Sequence, residues 1–469
     1  MRRRDLLKLS GAGATLALVA HQLYRHNGSD NQDLVVNRLD LSTPLASNQT
    51  SFDSQIEIDW NSSVSEAVPF VFGSNDYEIT VLDKAQDQVF QNLLVDLEIP
   101  LIRIHHAQLS DRWTDAATKS WDEAKIKACY DASYSYQPTI VQNIPRWPEW
   151  MATEEKNLLA SSEHDNYASF CAELVNILNQ RQQRQIIYWE PINELEKRYE
   201  QADKIDELWQ IYNKAAIAMK AQDPSIKVGG PALTWDNAPM LAQFLQNCGD
   251  NVDFISWHRY GTGNPELSTE ELMSRTSNYK QQVRKFRSVA AKHLPDRQIP
   301  LFLSEYNINY SWKSGENRQN TYIGAVWFAS VLKHLAESGI EMAASWHLKD
   351  GIYGMIDPRN NLRPAATVFA WGNKYLTGTV MKTDSDRSEV ESLAVEQKDG
   401  RRSILLINKS SSPVKVNLQI SPTTFSFQQV EAFSLGENGT NNITEANSII
   451  DSRSIDLPSY SLVLFHGYT

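Results

Sequence analysis

From about residue 68 onward, short runs of apolar and β-branched residues alternate with stretches whose apolar positions recur every three or four residues, the pattern of a repeated strand and helix unit. Eight runs predict strands at 68–73, 101–105, 139–142, 186–189, 226–229, 254–257, 301–303 and 342–346. Several are apolar throughout rather than alternating, as strands covered on both faces must be, so a parallel sheet wrapped by helices is expected. Helix-spaced stretches fill the gaps, most plainly 205–221, 272–293, 321–337 and, last, 364–376. In the third of these, Ile323, Val326, Trp327, Val331, Leu332 and Leu335 form one stripe. Eight such units predict a (β/α)8 TIM barrel over residues 63–376. A doubly wound open sheet is the alternative, but no Gly-rich phosphate loop follows any of the runs.

The pattern changes beyond residue 376 to short β-type runs at 391–396, 403–408, 414–420 and 459–466, separated by Gly, Asn, Ser and Pro. Residues 377–469 therefore predict a C-terminal all-β sandwich. Before the barrel, Ile56, Ile58 and Trp60 alternate with polar residues, which predicts a strand within 51–62 that joins the C-terminal sheet. The extreme N-terminus carries Arg2, Arg3 and Arg4, then Asp5, Leu6, Leu7 and Lys8, then a weakly apolar run to Ala20. Residues 1–28 resemble a twin-arginine-type signal; the apolar run falls short of the ~20 residues a spanning helix needs. The expected location is therefore exported, periplasmic or extracellular, with membrane contact only through this segment if it stays uncleaved. Residues 29–50, rich in Asn, Ser and Asp, read as a flexible tether.

Composition narrows the partners. With 41% hydrophobic and 22% charged residues the 469-residue chain is an ordinary globule in makeup. Its net charge of −12 opposes binding to nucleic acid or anionic lipid and disfavours a heavily anionic glycan. Cys129, Cys171 and Cys248 have neither zinc-ribbon nor disulfide-framework spacing, so they read as small apolar filler.

In a (β/α)8 barrel the polar residues just past each strand's apolar part converge on one face. The fourth run continues into Glu190, Pro191, Ile192, Asn193 and Glu194, and the seventh into Ser304, Glu305, Tyr306 and Asn307, so each delivers a glutamate to the same rim. Two carboxylates suit glycosidic cleavage. One donates a proton to the departing oxygen, and the other stabilises or captures the oxocarbenium-like centre.

Six segments together resemble retaining glycoside hydrolases of clan A, with closest likeness to family 39 and related xylosidase-type or exopolysaccharide-cleaving enzymes, over about residues 68–376. They are Leu101-Ile102-Arg103-Ile104-His105; Tyr188-Trp189-Glu190 through Asn193-Glu194; Val228-Gly229-Gly230-Pro231-Ala232; Asp253 through Trp257-His258-Arg259-Tyr260-Gly261; Leu303-Ser304-Glu305-Tyr306-Asn307; and Ser345-Trp346-His347. The resemblance implies that Glu194 is the acid/base and Glu305 the nucleophile. It implies that Arg103 orients the nucleophile and that Asn193 bonds the sugar 2-hydroxyl. Tyr260 is then a donor to Glu305, with His258 beside it on the same side of the strand, and Trp346 floors the sugar subsite.

Trp113, Trp147, Trp150, Tyr310 and Trp312 fall in predicted loops at the same rim and suit a carbohydrate cleft. The pairs His105/His106 and His347/Asp350 lack a ligand set, so no metal and no cofactor is expected. Many relatives place proline after the acid/base glutamate, whereas Leu195 and Glu196 follow Glu194 here. The implied activity is hydrolysis of O-glycosidic bonds in an oligosaccharide or extracellular polysaccharide by double displacement, with the carboxyls ~5 to 5.5 Å apart. A non-catalytic carbohydrate-binding protein on the same scaffold and a transglycosylase are the alternatives.

Overall fold

A computed structural model describes residues 51–469 apart from Ser314. The twin-arginine-type signal at 1–28 and the tether at 29–50 lie outside the described residues.

The expected barrel is present. Its parallel strands run, in spatial order, through Gly73–Asp76, Leu101–Ile104, Thr139–Asn143, Tyr188–Glu190, Lys227–Val228 with Gly230–Leu233, Ile255–Thr262, Leu301–Asn309 and Met342–Ser345, the last pairing back onto the first. The fifth strand is split in two. Lys227–Val228 pairs with the fourth strand, while Gly230–Leu233 pairs with the sixth, so closure of the ring passes through Gly229 and Gly230. Both must be glycine: a Cβ on Gly229 would lie 2.4 Å from the Phe254 ring, and Gly230 holds φ +155°.

The first strand departs from expectation. Residues 68–73 are predicted as strand, yet Pro69–Phe72 forms a 3-10 turn and the strand is Gly73–Asp76. Pro69 opens the turn because it has no N–H to give a sheet. The polar Ser74, Asn75 and Asp76 are nonetheless buried, because barrel backbone and side chains satisfy them: Asn75 Nδ2 donates to Ser304 O at 2.8 Å, and Asp76 accepts from Tyr134 Oη at 2.6 Å. The predicted 272–293 helix is likewise two helices, Thr269–Ser274 and Asn278–His293. The remaining expected helices appear as Ile205–Gln222, Tyr322–Ser338 and Pro364–Tyr375.

Leu101, Val141, Phe254, Phe302, Met342 and Ala344 form an apolar plug from the N-terminal parts of the strands. That burial fills one end of the barrel and leaves inward positions at the other end for polar groups. The first and last barrel elements meet where Phe72 packs on the Pro364–Tyr375 helix. A Cβ at Gly372 would lie 2.2 Å from the Phe72 ring. Gly372→Ala is therefore expected to lower stability by about 1–3 kcal/mol, because a ring buried in a tight helix contact has little room to retreat. Urea denaturation checks this, and an unchanged midpoint would contradict the close packing.

The expected C-terminal all-β sandwich is present, its nine strands hydrogen-bonded into one continuous, mostly antiparallel sheet. It folds over one core in which Ile404, Leu406 and Phe465 meet Val416, Leu418, Phe425, Ile450 and Ile455. Ser54–Ala67 lies inside it, antiparallel to Gly378–Ser385 and parallel to Val414–Ser421. A buried cluster holds this sheet to the barrel. Glu391 accepts from Lys409 Nζ at 2.7 Å and Ser330 Oγ at 2.6 Å, and sits 2.9 Å from His334 Nε2. All three cysteines are buried and free.

Candidate active site

Arg103 organises the C-terminal mouth of the barrel. It sits on the second strand with no exposed surface, and such a charge is tolerated inside only when every donor is used. Its Nε donates to Glu190 Oε2 at 2.6 Å, Nη1 to Glu305 Oε1 at 3.0 Å and to Asn75 Oδ1 at 3.1 Å, and Nη2 to Asn193 Oδ1 at 2.6 Å. Strands one, two, four and seven are thereby locked around one guanidinium.

Glu305, on the long seventh strand, has 7% of its side chain exposed. Besides Arg103 it accepts from the Tyr260 hydroxyl at 3.0 Å. Glu194 stands on the loop after the fourth strand, and 37% of its side chain opens on the cavity. The loop is pinned on both sides, with Asn193 N–H on Pro145 O at 3.1 Å and Glu194 N–H on Ala232 O at 3.0 Å. Glu194 itself has φ +53°, a left-handed conformation held against its intrinsic cost by these contacts.

His258 bridges the two carboxyls. Its Nδ1 is 2.7 Å from Glu194 Oε1, and its Nε2 is 3.5 Å from Glu305 Oε1. Glu194, His258 and Glu305 each place an atom within 4.8 Å of the others, so a carboxyl oxygen of Glu194 lies that close to one of Glu305.

Burial dominates the electrostatics. It pushes Glu194 up to about 7, with the Arg103 charge opposing. It lowers His258 to about 4, so the imidazole is neutral near pH 7. Burial, and the neighbouring Glu194, raise Glu305 as well, with His258, Arg103 and the Tyr260 hydroxyl opposing. Of the two carboxyls only Glu305 touches a permanent cation and a hydroxyl donor. The proton the pair shares therefore resides on Glu194.

These groups open on a cavity of about 1550 Å3. Trp346 forms part of its wall with His105, Tyr77 and His347, at ring-centroid distances of 5.5, 6.4 and 4.9 Å. Arg103, Asn193, Glu194, His258, Tyr260, Glu305 and Trp346 thus come together at one end of the barrel. Trp147 does not. It is 5% exposed, packs edge-on against Tyr167 and Tyr199, and is a core aromatic of the loops after strands three and four. Trp113 is fully buried, and Trp150 lies edge-on to Phe170. Of the five predicted rim aromatics, Tyr310 and Trp312 line the cavity, at 62% and 63% exposed.

Two participants escape the sequence reading. Glu190, fully buried, balances Arg103 and accepts from Asn143 Nδ2 at 3.3 Å; its only signal is a glutamate ending an apolar run. Trp235, half exposed on the cavity, follows the fifth strand as the predicted aromatics follow theirs. Glu196, the departure noted after Glu194, turns away to accept the Thr234 N–H at 2.8 Å.

Residues 184–357 match the model of glycosyl hydrolases family 39. A beta-xylosidase from Geobacillus stearothermophilus is 28% identical over 163 residues, 33% of this chain and 31% of that enzyme. A beta-xylosidase from Caldicellulosiruptor saccharolyticus is 29% identical over 110 residues, 23% of this chain and 22% of that one. The chain thus matches less than a third of the length of these curated relatives. Among solved structures, a monomeric beta-xylosidase from Caulobacter crescentus CB15 superposes with TM-score 0.65 at 17% identity, covering 88% of this chain and 98% of that one. A family 51 alpha-L-arabinofuranosidase from Bifidobacterium longum gives 0.66 at 14%, covering 89% and 100%. These structural likenesses carry the fold, and the family match carries the expected resemblance to family 39.

Proposed function

We propose, from the likeness of residues 184–357 to glycosyl hydrolases family 39 and from the site geometry, that this chain is a retaining glycoside hydrolase. It hydrolyses O-glycosidic bonds of an oligosaccharide or extracellular polysaccharide by double displacement. The observation that carries the reading is the carboxyl pair. An oxygen of Glu194 lies within 4.8 Å of one of Glu305, which fits the ~5–5.5 Å carboxyl spacing of retaining enzymes better than the ~6.5–9.5 Å of inverting ones.

In the first step Glu305, held by Arg103 and Tyr260, attacks the anomeric carbon while Glu194 gives its proton to the leaving oxygen. The bond to the leaving group breaks, and a glycosyl ester forms on Glu305. Glu194, now a carboxylate, then takes a proton from water, whose oxygen attacks the same carbon and returns Glu305. The neutral His258 orients the acid: with its N–H on Nδ1 it donates to Glu194 Oε1 at 2.7 Å, which leaves the other oxygen of Glu194 to carry the proton given to the leaving group. Asn193 gives its Oδ1 to Arg103, which leaves its NH2 for the sugar 2-hydroxyl. No cofactor enters either step. The Arg2-Arg3-Arg4 signal supports export by a twin-arginine route to the periplasm or beyond.

Proton NMR of the first-formed sugar is expected to give the anomer of the substrate, and the opposite anomer would sink the double displacement. Because Glu194 must be protonated to act and titrates at about 7, kcat/KM is expected to fall about tenfold per unit above pH 7. Glu194→Ala is expected to remove that alkaline limb. It is also expected to cost on the order of 10²–10⁴-fold with poor leaving groups and far less with activated aryl glycosides. An equal loss on both substrate classes would assign the acid elsewhere.

A further inference from the structure

Among the described residues, the wall of the cavity that Glu194 opens on carries cations without anionic partners. Lys197, three residues past Glu194, holds its ammonium 5.4 Å from the centroid of the Trp235 ring, and Trp235 leaves half its surface open to the cavity. Among the described residues Lys197 forms no ion pair, and neither does Lys285, which lines the same cavity. Their neighbours on the cavity are spent: Arg259 donates to Asp236 at 2.6 Å, and Arg275 pairs with Glu271. An exposed indole flanked by an unpaired ammonium offers a sugar a flat apolar face beside a positive charge.

The position assigns a side. If Glu194 protonates the departing oxygen, groups immediately around Glu194 face the leaving group rather than the sugar that becomes attached to Glu305. We propose that the leaving-group side of this cleft takes an acidic sugar, a uronic acid residue, with its ring face on Trp235 and its carboxylate on Lys197 and Lys285. This rests on the glycosidase reading above and narrows its substrate class. The cavity of about 1550 Å3 exceeds the ~300–1,000 Å3 that encloses a single small ligand, so it has room for a sugar on each side of the bond to be cut. The net charge of −12 disfavours a heavily anionic glycan, but a single carboxylate meets lysines that line the cavity itself, while distant surface charges are screened beyond ~8 Å in physiological salt.

The test uses the full chain carrying Glu305→Gln, which holds ligands without turning them over. Two probes of equal length are titrated by calorimetry and tryptophan fluorescence: a xylo-oligosaccharide bearing one glucuronic acid, and the unsubstituted xylo-oligosaccharide. The acidic probe is expected to bind about tenfold more tightly at low salt, with the preference shrinking as salt rises. Adding Lys197→Gln and Lys285→Gln is expected to bring the two affinities together, and adding Trp235→Ala to weaken both. Equal affinities in the parent, or a preference that survives loss of both lysines, would overturn the inference. Hydrolysis by the unsubstituted chain separates the two claims. Cleavage without acidic preference sinks only this subsite, whereas no cleavage of any glycoside sinks the proposed activity.

Discussion

Glu305→Ala is expected to lower kcat on every glycoside by on the order of 10⁴ to 10⁶-fold, because the proposed double displacement loses its nucleophile. In the proposed mechanism Glu194 does not replace it, because its part is to give a proton to the leaving group. The space vacated by the Glu305 carboxyl sits between the Arg103 guanidinium and the Tyr260 hydroxyl, at 3.0 Å from each in the intact chain, and so still favours a small anion. Added azide is therefore expected to restore part of the rate with an activated substrate and to give a glycosyl azide of inverted configuration. Chromatography and NMR of the product check this. Undiminished turnover, or an azide adduct of retained configuration, would remove Glu305 from the role of nucleophile.

Arg103→Met is expected to have the largest effect on the fold and the site together. Arg103 and Glu190 are fully buried and Glu305 nearly so, so loss of the guanidinium leaves two carboxyls facing each other without a cation. Breaking a buried pair by removing one partner costs about 3–5 kcal/mol, far more than the median surface bridge. The sign with pH follows. Burial already raises Glu305 and the Arg103 charge opposes that rise, so without Arg103 this carboxyl titrates still higher in the folded chain than in the unfolded one, and the folded state binds more protons. The deficit is then largest at neutral and alkaline pH and is relieved as pH falls through the folded-state values. Denaturant melts across pH measure it. The double variant Arg103→Met with Glu190→Gln is expected to recover a good part of the stability but little of the activity, since Glu305 still lacks its cation. Recovery of both together would make Arg103 a purely structural ion pair.

Glu194 and Glu305, past the fourth and seventh runs, are readable as residues of one rim because barrel topology sends strand ends there. Arg103 is readable only through the resemblance to clan A enzymes. Its balancing partner Glu190 is not, since a glutamate ending an apolar run reads equally well as a helix-capping or surface residue until the guanidinium beside it is known. Trp147 and Trp235 show the same limit from two sides. Both follow strands, but Trp147 turns into the packing of Tyr167 and Tyr199 while Trp235 stays open to the cavity, and nothing in the local pattern distinguishes them.

The first barrel strand misleads for a related reason. Hydropathy assigns 68–73 to the sheet because that segment is apolar, yet the buried strand is the polar Gly73–Asp76, and its burial is possible only because Ser304, Ala344, Ser345 and Tyr134 arrive from elsewhere to bond it.

What the chain's own order of residues determined is therefore the set of repeating units, their parallel arrangement, and which residue types reach the catalytic end of the barrel. All of these follow from local periodicity and from the handedness of strand and helix connections. Only the tertiary structure decided where the ring closes, which carboxyl keeps the proton, which tryptophans face a ligand and which cations stay unpaired. Those depend on distances between side chains far apart in sequence, and on how much water each one loses when they meet.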